Sequence, residues 1–408
     1  MDVADERAVS WLERFQEKEY ARLGLPLPTV SSVEELLDGF GDATPFGVDK
    51  ATVAKTLQGL LLRGDAAPGS RYDDALFHGL LHHIGRDSES CVDPSLDFKL
   101  PIFGSLPLSG PNAKVAFHKP SGRHVVIFQR GQFRFFSRAI AALVHASPIR
   151  PRFADAQLED LRFSRRWAKI ERFYQAMPWL LEAILGVMLS EPGHARVITE
   201  SVCGPDGLDL KPTRDEYEMA YGLHECLTAF VLGHEYGHIV ENRRVRQGGS
   251  FGTVGKLSEE ETFELLRNIM SEMAADDLGV GLSLKRNMGR KFGIENSYLG
   301  ITLFFDLMWF LDCCLGVFRD GHIPEGTSID SLTHPPLLTR RENAEKCIAR
   351  HHREGLELER GRAVAASFQM LLLGFWSLVK PQFEEWHRRN LGSELAPEFR
   401  TPIRPSSL

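Results

Sequence analysis

Apolar residues recur at three- and four-residue intervals over most of the chain, the spacing that lines one face of an α-helix. In the N-terminal part this periodicity predicts helices at 4–22, 33–37, 50–63 and 73–84, separated by short breaks. Residues 95–120 are rich in Pro, Gly and Ser and read as linker and turns. Two short strands are expected at 114–118 and 124–128, joined by Lys119-Pro120-Ser121-Gly122. Helical spacing returns at 132–146, 158–177 and 180–189, and a loop at 192–212 leads into a proline-free stretch, 216–242. Further helices are expected at 258–288 and 298–318, from Pro335 onward, and at 363–379, while 397–408 carries no pattern. No internal repeat is visible. The pattern predicts a mainly α fold with a small β element (α+β). It divides into an N-terminal helical region over 1–110, a main body over 111–355, C-terminal helices over 356–396 packing on it, and a tail.

Length and composition narrow this picture. A chain of 408 residues can bury a large core and is expected to form two subdomains. Its apolar share of 43% and charged share of 25% are ordinary for a soluble globular protein. A net charge of −7 gives no global basic footprint, so nucleic-acid binding is not expected. Arg162, Arg165, Arg166, Lys169 and Arg172 read as a solvated helix face. The charged start, Met1 to Arg7, lacks a signal-peptide core, and the six scattered cysteines do not form a secreted disulfide framework. Reduced thiols in a cytoplasmic protein are expected. The apolar stretch 298–318 is interrupted by Asp306 and Asp312, and 363–379 by Ser367, Gln369 and Ser377. Both read as buried core helices rather than membrane spans, so membrane association is not expected.

The chemistry concentrates in one pentad, His234-Glu235-Tyr236-Gly237-His238, set within the uncharged flanks 229–233 and 239–240. Residues four apart on a helix lie on one face. Two imidazoles so placed can hold one zinc ion, and the carboxylate between them can act as general base toward a water that the ion activates. The pattern is short and the chain has fifteen histidines, so the uncharged flanks carry much of its weight. The competing reading is a buried amphipathic helix whose histidines only hydrogen-bond. Gly233 and Gly237 each cost about 1 kcal/mol in a helix relative to alanine, which calls for close approach of another helix or of substrate. A catalytic zinc takes three protein ligands and keeps one open position. The best third ligand is Glu272, in Ser271-Glu272-Met273-Ala274-Ala275-Asp276-Asp277-Leu278. Ala274 and Ala275 are small enough to let that helix press on the first. Asp276, four after Glu272, would accept a ring N–H from a ligand histidine, and Asp277 points about 100° away. Glu259, Glu260, Glu261 and Glu264 are explained by their place at a helix start.

A third block, Leu332 to Arg341, sets His334 before Pro335-Pro336 and Arg340 on the first turns of a helix. A fixed His and Arg can hydrogen-bond an oxyanion; taken alone, the simpler reading is a loop-to-helix junction. His78 and His82 are also four apart, but no glutamate follows the first, and they read as ordinary helix surface. Gly249 to Lys256 departs from a Walker A loop at Ser250 and Leu257 and reads as a mobile loop near the site mouth. Residues 49–64 lack the basic face of a helix-turn-helix.

Taken in order, these three blocks resemble the gluzincin peptidases of the HtpX and CaaX-prenyl-protease kind, and still more the bacterial Lit-type phage-exclusion peptidases. The resemblance covers residues 110–350, with a strand at 123–128 and an aromatic helix start at 132–136 upstream of the zinc helix. It implies a zincin-like helical core and a zinc endopeptidase acting on an intracellular protein or peptide substrate. His234, His238 and Glu272 would be zinc ligands, Glu235 the general base, and Asp276, His334 and Arg340 supporting groups. The chain departs from the HtpX and prenyl-protease kinds in lacking clear spans, and its insert 243–256 is glycine-rich and basic. Two alternatives stay open: a non-catalytic zinc-stabilised regulatory or interaction protein, and a membrane-associated quality-control peptidase.

Overall fold

The computed structural model describes residues 2–28, 51, 54–55, 58–59, 68–73, 75–92, 99–108, 110, 112–147, 171–189, 192–203, 212–246, 259–288, 293–323, 335–352, 355–389 and 395. It is mainly helical with one three-stranded sheet. Two compact units, Met1–Phe133 and Arg134–Leu408, divide the chain.

In the first unit, α1 (Val3–Leu23) starts where the Asp5 N–H donates to the Asp2 side chain at 2.7 Å. It stops at Gly24, whose φ of 67° a residue with a Cβ would adopt only with strain. Its Ala8, Val9 and Leu12 pack on Ile102, Leu106, Val125 and Ile127 of the sheet. After α2 (Ala75–Glu89) come β1 (Ile102–Leu106), β2 (Ala113–His118) and β3 (Arg123–Gln129), in the order β1-β3-β2. β3 is central, parallel to β1 and antiparallel to β2.

Two expectations are corrected here. β1 falls in the stretch read as linker and turns. It is buried on both faces, so it shows no alternation, and its Gly and Ser look like turn residues. Each has a packing reason. A Cβ on Gly104 would lie 2.6 Å from the Leu12 Cδ1, and buried Ser105 donates its N–H and hydroxyl to Asp73 at 2.7 and 3.0 Å. His78 and His82 are buried rather than surface residues, because α2 turns this face inward and sets the His82 ring edge-on to Phe103.

In the second unit, α3 (Arg130–Ala146), which begins before the boundary, is followed by α4 (Glu171–Met188), α5 (Pro192–Cys203), α6 (Arg214–Arg246) and α7 (Glu259–Met288). Then come α8 (Gly293–Asp320), α9 (Leu337–His351) and α10 (Leu356–Arg388). α4 runs through Pro178, so the break expected between 177 and 180 does not occur. α5 occupies part of the stretch read as loop. Pro192-Gly193 looks like a turn, yet proline is at home in the first turn of a helix. The segment 33–37, the glycine-rich segment 249–256, the tail 397–408, and most of 50–63 and of the basic stripe lie outside the described residues.

α8 is the central helix, packed by α6, α9, α10 and α7. It and α10 are long and apolar enough to cross a membrane, and almost all of α8's apolar window is buried within the unit. Its two aspartates are buried with it, and Asp306 is held by Arg341 of α9 at 2.9 Å.

Buried His82 makes the first unit acid-sensitive. Burial, then Arg86 and His78, pushes its pKa from 6.5 down to about 4. The unfolded chain takes up this proton as pH falls below 6.5 while the folded chain does not, so stability present above 6.5 is lost toward pH 4. The expected loss is on the order of 2 kcal/mol. Denaturant titrations of wild type and His82→Leu across that interval should show a shallower pH dependence in the variant; parallel curves would contradict the assignment.

Candidate metal centre

α6 opens with reciprocal caps. The Thr213 N–H donates to Glu216 at 2.8 Å and the Glu216 N–H donates to the Thr213 hydroxyl at 3.3 Å. The buried Glu216 also pairs with Arg172, which ties the helix start to α4. Further along, α6 meets α7 backbone to backbone. A Cβ on Gly233 would lie 2.9 Å from the Gly279 Cα, and one on Gly237 would lie 2.4 Å from the Ala275 Cα. A Cβ on Gly279 would lie 2.9 Å from the His234 N. This close approach accounts for the costly glycines. Of the two alanines expected at the contact, Ala275 is buried there and Ala274 is exposed, since one residue turns a helix by about 100°. A buried Glu225–Arg286 ion pair also joins the two helices.

The contact sets His234 and His238 of α6 opposite Glu272 of α7. The two Nε2 atoms are 3.0 Å apart. Glu272 Oε1 is 3.3 Å from the His238 Nε2, and Oε2 is 3.6 Å from the His234 Nε2. Among the described residues this is the group of His, Cys and acidic side chains whose donor atoms gather closely enough to hold a metal ion. The spacing fits. Tetrahedral bonds of about 2.0–2.1 Å place donor atoms about 3.3–3.4 Å apart. The proton placement fits as well. His234 Nδ1 lies 2.9 Å from Asp276 Oδ1, so the ring N–H belongs on Nδ1 and Nε2 presents its lone pair to the cluster.

Around the triad lies a buried charged frame. Asp276 is fully buried and accepts from Arg340 twice, from Nε to Oδ2 and from Nη2 to Oδ1, both at 2.8 Å. Arg340 Nη1 lies 3.2 Å from Glu272 Oε2, and its guanidinium carbon sits 5.8 Å above the Phe305 ring. Burial works to raise the Asp276 pKa, but Arg340 and His234 outweigh it and hold the carboxyl below its usual range. Glu235 is buried beside the triad, and burial raises its pKa against the pull of both imidazoles. Asp277 faces α9, where it accepts from Asn343 at 2.9 Å and Arg350 at 3.1 Å.

His234, Glu235, His238, Glu272, Asp276 and Arg340 thus come together, while His334 lies outside the described residues. Three of the Arg340 donors face Asp276 and Glu272. Sequence reasoning missed Gly279 and Phe305. The four-residue spacing of Ala275 and Gly279 was a visible signal of a small-residue helix contact; nothing in the sequence marked Phe305.

No family model matches the chain, and neither a curated protein nor a solved structure matches it. The function is therefore read from the side chains themselves.

If Asp276 fixes the His234 ring, Asp276→Asn should weaken metal binding by about 10–100-fold in a chelator competition. Gly237→Val should force α6 from α7, lowering stability by about 2 kcal/mol or more and reducing metal binding with it. Unchanged melting temperature and metal content in that variant would contradict the close contact.

Proposed function

We propose that the chain is a zinc-dependent endopeptidase of gluzincin type, cytoplasmic, that hydrolyses a peptide bond in a protein substrate. The observation that carries this reading is the convergence of His234, His238 and Glu272 with the Glu235 carboxylate on the same helix segment. Among the described residues no fourth Cys or His joins the three donors, which suits a site that keeps one position for a reactant. Bound there, zinc supplies Lewis-acid polarisation of the scissile carbonyl and lowers the pKa of a water toward neutrality.

The protein groups divide the remaining work. Glu235 takes the water proton on its carboxylate and returns it to the leaving amine. Asp276 holds the proton on His234 Nδ1, which keeps Nε2 as a donor to the ion. Arg340 fixes both Asp276 oxygens and draws on Glu272 Oε2. Three of its five N–H groups serve these contacts, and with His334, a supporting group that the resemblance to Lit-type peptidases implies, it stabilises the oxyanion. That resemblance supports a bacterial enzyme of few targets, in defence against phage. A non-catalytic zinc protein would have no use for Glu235 at this position.

Glu235→Gln should retain the metal and lower cleavage of a denatured protein substrate by 10²-fold or more, roughly the contribution of a general base. His234→Ala should lose the metal. Full proteolysis by Glu235→Gln, or undiminished zinc in His234→Ala by elemental analysis, would overturn the assignment.

A further inference from the structure

Four phenylalanines form a connected ring cluster that reaches the metal triad at His234. Phe230 stands one helical turn before His234, with its ring centroid 6.5 Å from the imidazole. Phe304 and Phe305 of α8 pack against it at 5.3 and 5.4 Å, and Phe136 of α3 reaches Phe304 at 5.8 Å. Phe230, Phe305 and Phe136 are buried, at 0%, 1% and 1% exposure, whereas Phe304 is only half-buried. That exposure is unusual for its helix. Between Ser297 and Phe318 every residue of α8 is buried except Phe304 and Trp309. Trp309, five residues on, points about 140° away around the helix. The ring contacts of Phe304 fix which side it faces: it lies against Phe230 of the metal helix and Phe136 of α3. Phe305 takes the other role, as the ring beneath the Arg340 guanidinium.

A partly exposed apolar ring, joined through Phe230 to a histidine of the metal triad, offers what a binding site for an apolar side chain requires. We propose that Phe304 determines specificity by forming the wall of an apolar subsite. That subsite takes an aliphatic or aromatic side chain of the peptide next to the scissile bond. The inference rests on the peptidase reading and adds the substrate class to it. Phe230 and Phe136 back the wall, so the subsite is rigid and its size is set by the Phe304 ring. Backbone groups of the substrate meet the polar triad while the neighbouring side chain is desolvated on the ring.

The test uses the zinc-loaded full-length chain and two short peptide hydroxamates, one carrying a leucine side chain and one glycine, with binding read by calorimetry and zinc by elemental analysis. Wild type should bind the leucine compound about tenfold or more tightly than the glycine compound. Phe304→Ala should bring the two affinities to within about twofold with zinc content unchanged, and Phe304→Leu, which keeps an apolar wall, should preserve most of the preference. Cleavage mapping on a peptide mixture should show the same change as a loss of apolar residues beside the cut, read mainly in KM. Retention of the full leucine preference by a folded, zinc-loaded Phe304→Ala overturns the subsite while leaving the peptidase reading intact. A wild-type chain that holds no zinc and binds neither compound overturns both.

Discussion

The close contact between α6 and α7 is the constraint on which the rest of the site depends. Gly233 and Gly237 on one helix face Gly279 and Ala275 on the other, with no room for a further carbon atom. Helices usually pack with axes 8–10 Å apart because side chains interdigitate between them. Here the absence of side chains lets α7 bring the Glu272 carboxylate to 3.3 Å from His238. Each glycine costs helical stability, and the buried Glu225–Arg286 pair and the Thr213–Glu216 caps help hold a helix so weakened.

A second layer of polar contacts turns that proximity into a defined geometry. Asp276 would be costly as a lone buried charge. Arg340 satisfies both its oxygens and His234 gives it a third contact, so burial and ionisation coexist. The same arginine reaches Glu272, and α9 is locked to α7 again through Asp277, Asn343 and Arg350. Three helices therefore share one charged frame, and displacing any of them disturbs the donors. The aromatic cluster from Phe136 to Phe305 supplies the apolar part of the same neighbourhood, with Phe305 beneath the Arg340 guanidinium.

Legibility followed the range of the interactions. The pentad, the helices carrying it and the sheet's β2 and β3 were readable because period and turn chemistry are local. β1 was not, because a strand buried on both faces has no alternation and its Gly104 and Ser105 imitate a turn. α5 was hidden behind Pro192-Gly193, and the burial of His78 and His82 depended on which way α2 faced. Gly233 and Gly237 announced a close approach but not its partner; Ala275 and Gly279 supply it.

By itself the sequence determined that two imidazoles would share one helix face, with a carboxylate between them in sequence, since residues four apart on an α-helix lie one turn above each other. It also supplied an acid and a second carboxylate at matching spacing in Glu272 and Asp276. Tertiary structure alone decided that Asp276 meets His234 from 42 positions away and that Arg340 turns onto Asp276 from 64 positions away. It decided, too, that Phe304 rather than Phe305 keeps an open face. Such contacts are fixed by how helices rotate and approach, which depends on the packing of every neighbour at once and leaves no periodic trace in the chain.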